Sequence, residues 1–133
     1  MKGYKILYGF NDPMGAPDSK AGITGQAEVR LGVYQNSYSK NSHTACFDKV
    51  YIGPARAIQN LEKAIKQVFD WSIERDGRGH SEWISGVTAD MLEIEIDKII
   101  DGYKFKVTKV DKQFLPLTVD NLQEFLNHYD TNI

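Results

Sequence analysis

The feature that most constrains the fold is an alternation at the start of the chain. Residues 4–10 read Tyr-Lys-Ile-Leu-Tyr-Gly-Phe, so Tyr4, Ile6, Tyr8 and Phe10 fall on one face of an extended strand. The stretch from Asn11 to Asp18 is dense in Asn, Asp, Pro and Gly and reads as a loop, and a second short strand follows at about 19–24. Two strands joined by so short a connection should form an antiparallel hairpin, because a parallel pair needs a long crossover.

The remainder reads helix, strand, helix, helix, strand, helix. A helix is predicted over 26–36 with Thr24 as its N-cap, then a polar loop, then a third strand over 44–52 that ends at Gly53-Pro54. The strongest helix signal is 55–71, where Ile58, Leu61, Ile65, Val68 and Phe69 recur at three- and four-residue steps and make one apolar stripe. A charged, glycine-containing loop follows at 74–82. A helix at about 88–100 carries Met91, Leu92, Ile96, Ile99 and Ile100 and should stop at Gly102. A strand at 103–110 and a closing helix at 118–129 complete the chain, the helix capped by Thr118 and presenting Leu122, Phe125, Leu126 and Tyr129 as its apolar face. The fold class read from this order is α/β in the α+β sense, a small antiparallel three-stranded sheet flanked by helices. Residues 1–100 make the main domain, and 101–133 are a short strand-helix extension packed on it.

Length and composition agree with one domain: 133 residues, 41% hydrophobic and 26% charged, without internal repeat or low-complexity tract. No apolar run approaches the roughly 20 residues of a membrane span, and the N-terminus shows no secretory leader, so a cytoplasmic setting is expected. Cys46 is the single cysteine, which excludes an internal disulfide and reads as buried filler, not as a nucleophile. The net charge of −2 conceals a gradient, since residues 1–60, 61–90 and 91–133 carry net +3, −2 and −3. The basic surplus therefore lies in the first half of the chain.

Certain polar residues stand at suggestive spacings. Tyr8 lies on the first strand and Lys20-Ala21-Gly22-Ile23-Thr24 makes up the second. Arg30 and Tyr34 are four apart on the next helix and share a face, and Glu62 borders the apolar stripe of the long helix, where a carboxylate needs a cation beside it. In this order the residues resemble the GIY-YIG nucleases, and most closely their bacteriophage-type branch, in which the second half-motif reads K-I-G-x-T. Arg30 stands ten residues after Lys20, where the family has its helical arginine, and Tyr34 follows four later at the family's histidine or tyrosine position. Leu7-Tyr8-Gly9-Phe10 followed by Asn11-Asp12-Pro13 resembles the first half-motif, Leu61-Glu62-Lys63-Ala64-Ile65-Lys66 the opening of the long helix, and Ser81-Glu82-Trp83-Ile84 a later E-W-F segment. Ala21, Lys66 and Ile84 depart from the usual residues. The literal Tyr51-Ile52-Gly53 is a decoy, because Leu61 and not an arginine stands ten residues after Tyr51; it reads as a strand end before Pro54.

The resemblance, which covers about residues 4–86, implies hydrolysis of DNA phosphodiesters with one divalent metal. It implies Tyr8 as general base, a role that needs a phenol pKa well below its ordinary value of about 10. Lys20 would be the cation that favours the phenolate. Arg30 would hold the scissile phosphate, Tyr34 would contact phosphate or position water, and Glu62 would be the metal ligand for Mg²⁺, with Mn²⁺ as a substitute. Arg75, Arg78 and His80, on the charged loop, would touch the DNA backbone. The setting implied is a bacterial or phage-infected cytoplasm, and a homodimer or a partner protein would supply recognition that so short a chain lacks. Two other readings stand beside the enzyme: an inactive DNA- or protein-binding module on the same fold, and an accessory protein whose acidic C-terminal third mimics phosphate.

Overall fold

A computed structural model of the chain describes residues 3–12, 18–31, 46–69 and 83–130. Strand β1 (Tyr4–Asn11) lies at the centre of the sheet, with β2 (Ser19–Thr24) on one side and β3 (Lys49–Pro54) on the other, both antiparallel to it. The expected hairpin is therefore present. Two strands of two residues extend the edges: β4 (Trp83–Ile84) pairs with β2 and β5 (Thr108–Lys109) with β3, giving the order β4-β2-β1-β3-β5. The sheet thus has five strands instead of the three read from the sequence. Its three long strands are the expected ones, whereas two-residue strands are too short to show a period.

Helix α1 is described over residues 27–31, α2 spans Ala55–Phe69, α3 spans Ala89–Tyr103 and α4 spans Leu122–Asp130. Alternation along the strands sorts the apolar side chains into two cores. On the first face Ile6, Tyr8, Phe10, Val50 and Ile52 pack with Ala27 and Leu31 of α1, with Phe47, and with Phe114, Leu117 and Phe125 from the C-terminal part. On the second face Leu7 and Tyr51 pack with Ile58, Leu61, Ile65 and Phe69 of α2 and with Leu92, Ile96 and Ile99 of α3. Helices cover both faces, so β1 is buried almost throughout. Among the described residues no helix is long and apolar enough to cross a membrane.

Several boundaries move, each for a local reason. The third strand begins at Lys49, not at 44, because Asp48 turns away from the ladder and accepts hydrogen bonds from the Asn11 N–H (3.0 Å) and the Cys46 thiol (3.6 Å). Phe47 keeps an isolated bridge to Leu117. Helix α3 runs through Gly102 to Tyr103, and Lys104 takes the left-handed conformation that ends it (φ 55°), so the 103–110 strand shrinks to Thr108–Lys109. The boundary drawn at 100/101 consequently falls inside α3, and the segment beyond it contributes β5 to the sheet and part of the first core. Thr118 does not cap α4: its Oγ accepts from Asp120 N–H (3.2 Å), while the Asn121 carbonyl accepts the first helical bond from Phe125 (3.1 Å).

Candidate functional site: the Tyr8 face of the sheet

Residues directly opposite in an antiparallel pair share a face, so the register of β1 with β2 decides which motif residues meet. Tyr8 lies opposite Gly22, and Phe10 lies opposite Lys20. Lys20 therefore projects to the same face as Tyr8 and Phe10, and it is only 8% exposed. Gly22 has a steric reason to be glycine. A Cβ built on it would stand 2.7 Å from Tyr8 Cζ and collide with Tyr8 Oη, so the phenol lies across β2 in space that a side chain would fill. Tyr8 itself is 1% exposed, its ring stacked on Phe47 with centroids 4.1 Å apart and planes 10° apart.

Thr24 accepts a hydrogen bond from Gln26 N–H (2.9 Å), and the Gln26 carbonyl accepts the first helical bonds, from Val29 (3.1 Å) and Arg30 (3.2 Å). Thr24 thus shapes the turn into α1, while Gln26 occupies the cap position expected of Thr24. Ala27 and Leu31 hold α1 on the Tyr8 face, and Arg30 is exposed on that helix. Strand β4 places Trp83 beside Lys20 and Ile84 beside Ser19, so the Trp83-Ile84 pair and the K-x-G-x-T segment are neighbours. Among the described residues, the structure brings together Tyr8, Lys20, Gly22 and the helix that carries Arg30.

It does not bring Glu62 to them. The buried stripe of α2 packs on the second face, with Leu7 and Tyr51, so the sheet lies between α2 and the Tyr8 phenol. Glu62 borders that stripe as expected, with its side chain 25% exposed, and its carboxylate is 3.7 Å from Lys66 one turn on. That exposed i,i+4 pair is weak. The single site that the resemblance implies for Tyr8, Arg30 and Glu62 is therefore corrected at Glu62: the stripe of a helix says which side is buried, not which face of a sheet it covers. Among the described residues no group of three or more His, Cys, Asp or Glu is arranged to hold a metal ion. Tyr34, Arg75, Arg78 and His80 lie outside the described residues.

No family model, curated protein or solved structure matches the chain.

A second polar cluster, which no motif in the sequence marks, joins α3 to β3 and β5. Lys49 donates to Asp90 (2.8 Å) and Glu93 (3.4 Å), Lys109 to Glu93 (3.0 Å) and Asp97 (2.9 Å), and the Tyr51 hydroxyl to Asp97 (2.8 Å). The spacing Asp90, Glu93, Asp97 on one side of a predicted helix was the available signal. The hydrogen bond to Asp90 raises the Lys49 pKa, and Asp90 is lowered by the same bond. Burial opposes the Lys109 charge, but its bonds to Asp97 and Glu93 outweigh that and raise its pKa. Burial, then the Asp97 hydrogen bond, pushes the Tyr51 phenol well above its ordinary value. These charges pair with one another and fasten α3 to β3 and β5. Burial also lifts the Cys46 thiol to about 11, with Asp48 adding to it, which keeps the sulfur protonated and unreactive at neutral pH.

Proposed function

We propose that the chain is a DNA endonuclease of the GIY-YIG type, hydrolysing phosphodiester bonds on the face that carries Tyr8. The observation that supports this reading best is the fit of Gly22 to Tyr8. The glycine of K-x-G-x-T stands opposite the tyrosine of the first strand and leaves the space its phenol fills, with Lys20 on the same face and β4 alongside. In this reading Tyr8 acts as the phenolate, and its Oη takes the proton of the attacking water as the water oxygen bonds to phosphorus. Lys20, on the same face, is the positive charge that favours the phenolate, and Arg30, exposed on α1, forks its guanidinium onto the phosphate and offsets its growing negative charge.

A divalent ion, Mg²⁺ or Mn²⁺, on the Glu62 carboxylate would complete its ligands from water and DNA phosphate. Such an ion would lie on the α2 side, with the sheet between it and the phenol. The residues present do not fit a site in which one ion serves both Glu62 and Tyr8. Recognition of a DNA sequence would come from a second copy or a partner protein.

Plasmid nicking with added Mg²⁺ or Mn²⁺ tests the proposal. Arg30→Ala and Tyr8→Phe should each lower the rate about 100-fold or more. Cleavage that survives both substitutions overturns the assignment, and loss of cleavage in Glu62→Ala would return that carboxylate to the reaction.

A second reading is favoured by two observations, the 1% exposure of Tyr8 and the seat of α2 on the other face. In it the chain is an inactive DNA- or protein-binding module on the same fold. Salt-dependent DNA binding without nicking is its signature.

A further inference from the structure

We infer that Phe47, held by the C-terminal segment, is a positioning residue for the Tyr8 phenol, so that the part of the chain beyond the nuclease-like motifs belongs to the reaction apparatus; this rests on the endonuclease reading. The Tyr8 ring is confined from two sides. Phe47 lies nearly parallel to it at 4.1 Å, and β2 at Gly22 closes the space around the hydroxyl so tightly that no Cβ fits. Phe10 is a more distant neighbour of both rings, with centroids 6.2 Å from each.

Phe47 does not sit in a strand that would hold it. It precedes β3, and its place is set by reciprocal main-chain bonds to Leu117: Phe47 N–H to the Leu117 carbonyl (2.8 Å) and Leu117 N–H to the Phe47 carbonyl (2.9 Å). Leu117 is fixed in turn by Asn121, whose amide nitrogen donates to the Phe114 and Pro116 carbonyls (3.1 Å each) and whose amide oxygen accepts from Thr118 N–H (2.8 Å). Phe114, Leu117 and Phe125 are buried in the same core as Tyr8. A chain of contacts thus runs from α4 through Asn121, Leu117 and Phe47 to the phenol. A base must be held within a fraction of an ångström of its productive position, and a displacement of about 1 Å can cost about 100-fold in rate.

The experiment compares the full chain with Phe47→Leu, which keeps apolar bulk and removes the ring, in single-turnover cleavage of DNA over a range of pH. The rate per folded molecule should fall about 10- to 100-fold with DNA affinity within about twofold, and the midpoint of the rise of rate with pH should be displaced. A merely structural role would reduce the folded fraction and leave that midpoint in place. Wild-type rate and midpoint in Phe47→Leu overturn the inference. Phe47→Met carries the comparison if Phe47→Leu does not fold, and the unaltered sequence offers a second measurement. With 3-fluorotyrosine at position 8, a pinned ring shows slow flipping in ¹⁹F spectra, and rapid averaging would overturn the inference as well. Wild-type chain that does not nick DNA fails the endonuclease reading and the inference with it. Nicking that persists in Tyr8→Phe leaves an endonuclease with another base and fails the inference alone.

Discussion

Gly22 shows how one residue can couple two segments. Its β2 position faces Tyr8, and the phenol takes the volume where any other residue would carry its Cβ. Relief by moving the ring is blocked, because Tyr8 is buried and stacked on Phe47. Gly22→Ala should therefore destabilise the fold by about 1–3 kcal/mol, the usual cost of overpacking, measured by urea denaturation. Tyr8→Phe removes the atom nearest the new methyl, so the double variant should lose less than the two single changes added together. Strict additivity would mean that the two residues do not meet. Gly53 is a contrasting case on the other side of the sheet. There a Cβ would approach the Lys106 carbonyl at 2.8 Å, a backbone atom that cannot rotate away.

At the scale of elements, α3 depends on its attachments. Its first turn is satisfied twice: Thr88 Oγ accepts from Met91 N–H (3.3 Å), and the Asn11 side chain reaches from β1 to accept from Ala89 N–H (2.8 Å). Along its length Asp90, Glu93 and Asp97 bind Lys49, Lys109 and Tyr51. The Tyr51 phenol is raised above its ordinary value of 10 in the fold, so the unfolded chain ionises first, and the stability Tyr51 contributes is present below about pH 10 and lost above it. Lys49 and Lys109 are raised above 10.5, so their contribution is complete below that value and is lost as pH rises through the higher folded pKa. Cys46, raised from 9.0 to about 11, acts in the same direction. Asp90 is lowered, so its contribution is lost as pH falls through its depressed pKa, but the group is mostly exposed and the effect is small. Urea melts between about pH 8 and pH 11 should show stability falling as pH rises. The fall should be shallower in Tyr51→Phe; an equal fall would remove Tyr51 as a cause.

At the scale of the whole molecule, the C-terminal part is the wall of a core. Phe114, Leu117, Leu122 and Phe125 cover the sheet face formed by Ile6, Tyr8, Phe10, Val50 and Ile52. A chain ending before Val110 would open to water the part of that face not covered by Ala27, Leu31 and Phe47, and it should lose cooperative unfolding and the dispersed side-chain signals of a packed core, read by calorimetry and NMR. Cooperative unfolding of the shortened chain would show that the segment is an appendage. The periodic elements were legible in the sequence because their signal is local. The alternation of Ile6, Tyr8 and Phe10 announced β1, and the steps of Ile58, Leu61, Ile65 and Phe69 announced α2. The likeness of Tyr8, Lys20, Gly22 and Arg30 to a nuclease motif was legible as an ordered spacing. What remained hidden was relational: the two edge strands, the pairing of Phe47 with Leu117, the ion pairs of α3, and the face on which α2 lies. A period is defined about an element's own axis and states which of its sides seeks cover. Which face of the sheet each helix covers depends on the packing of elements distant in sequence, and only the tertiary structure decided that Tyr8 and Lys20 share a face while Glu62 belongs to the helix across the sheet.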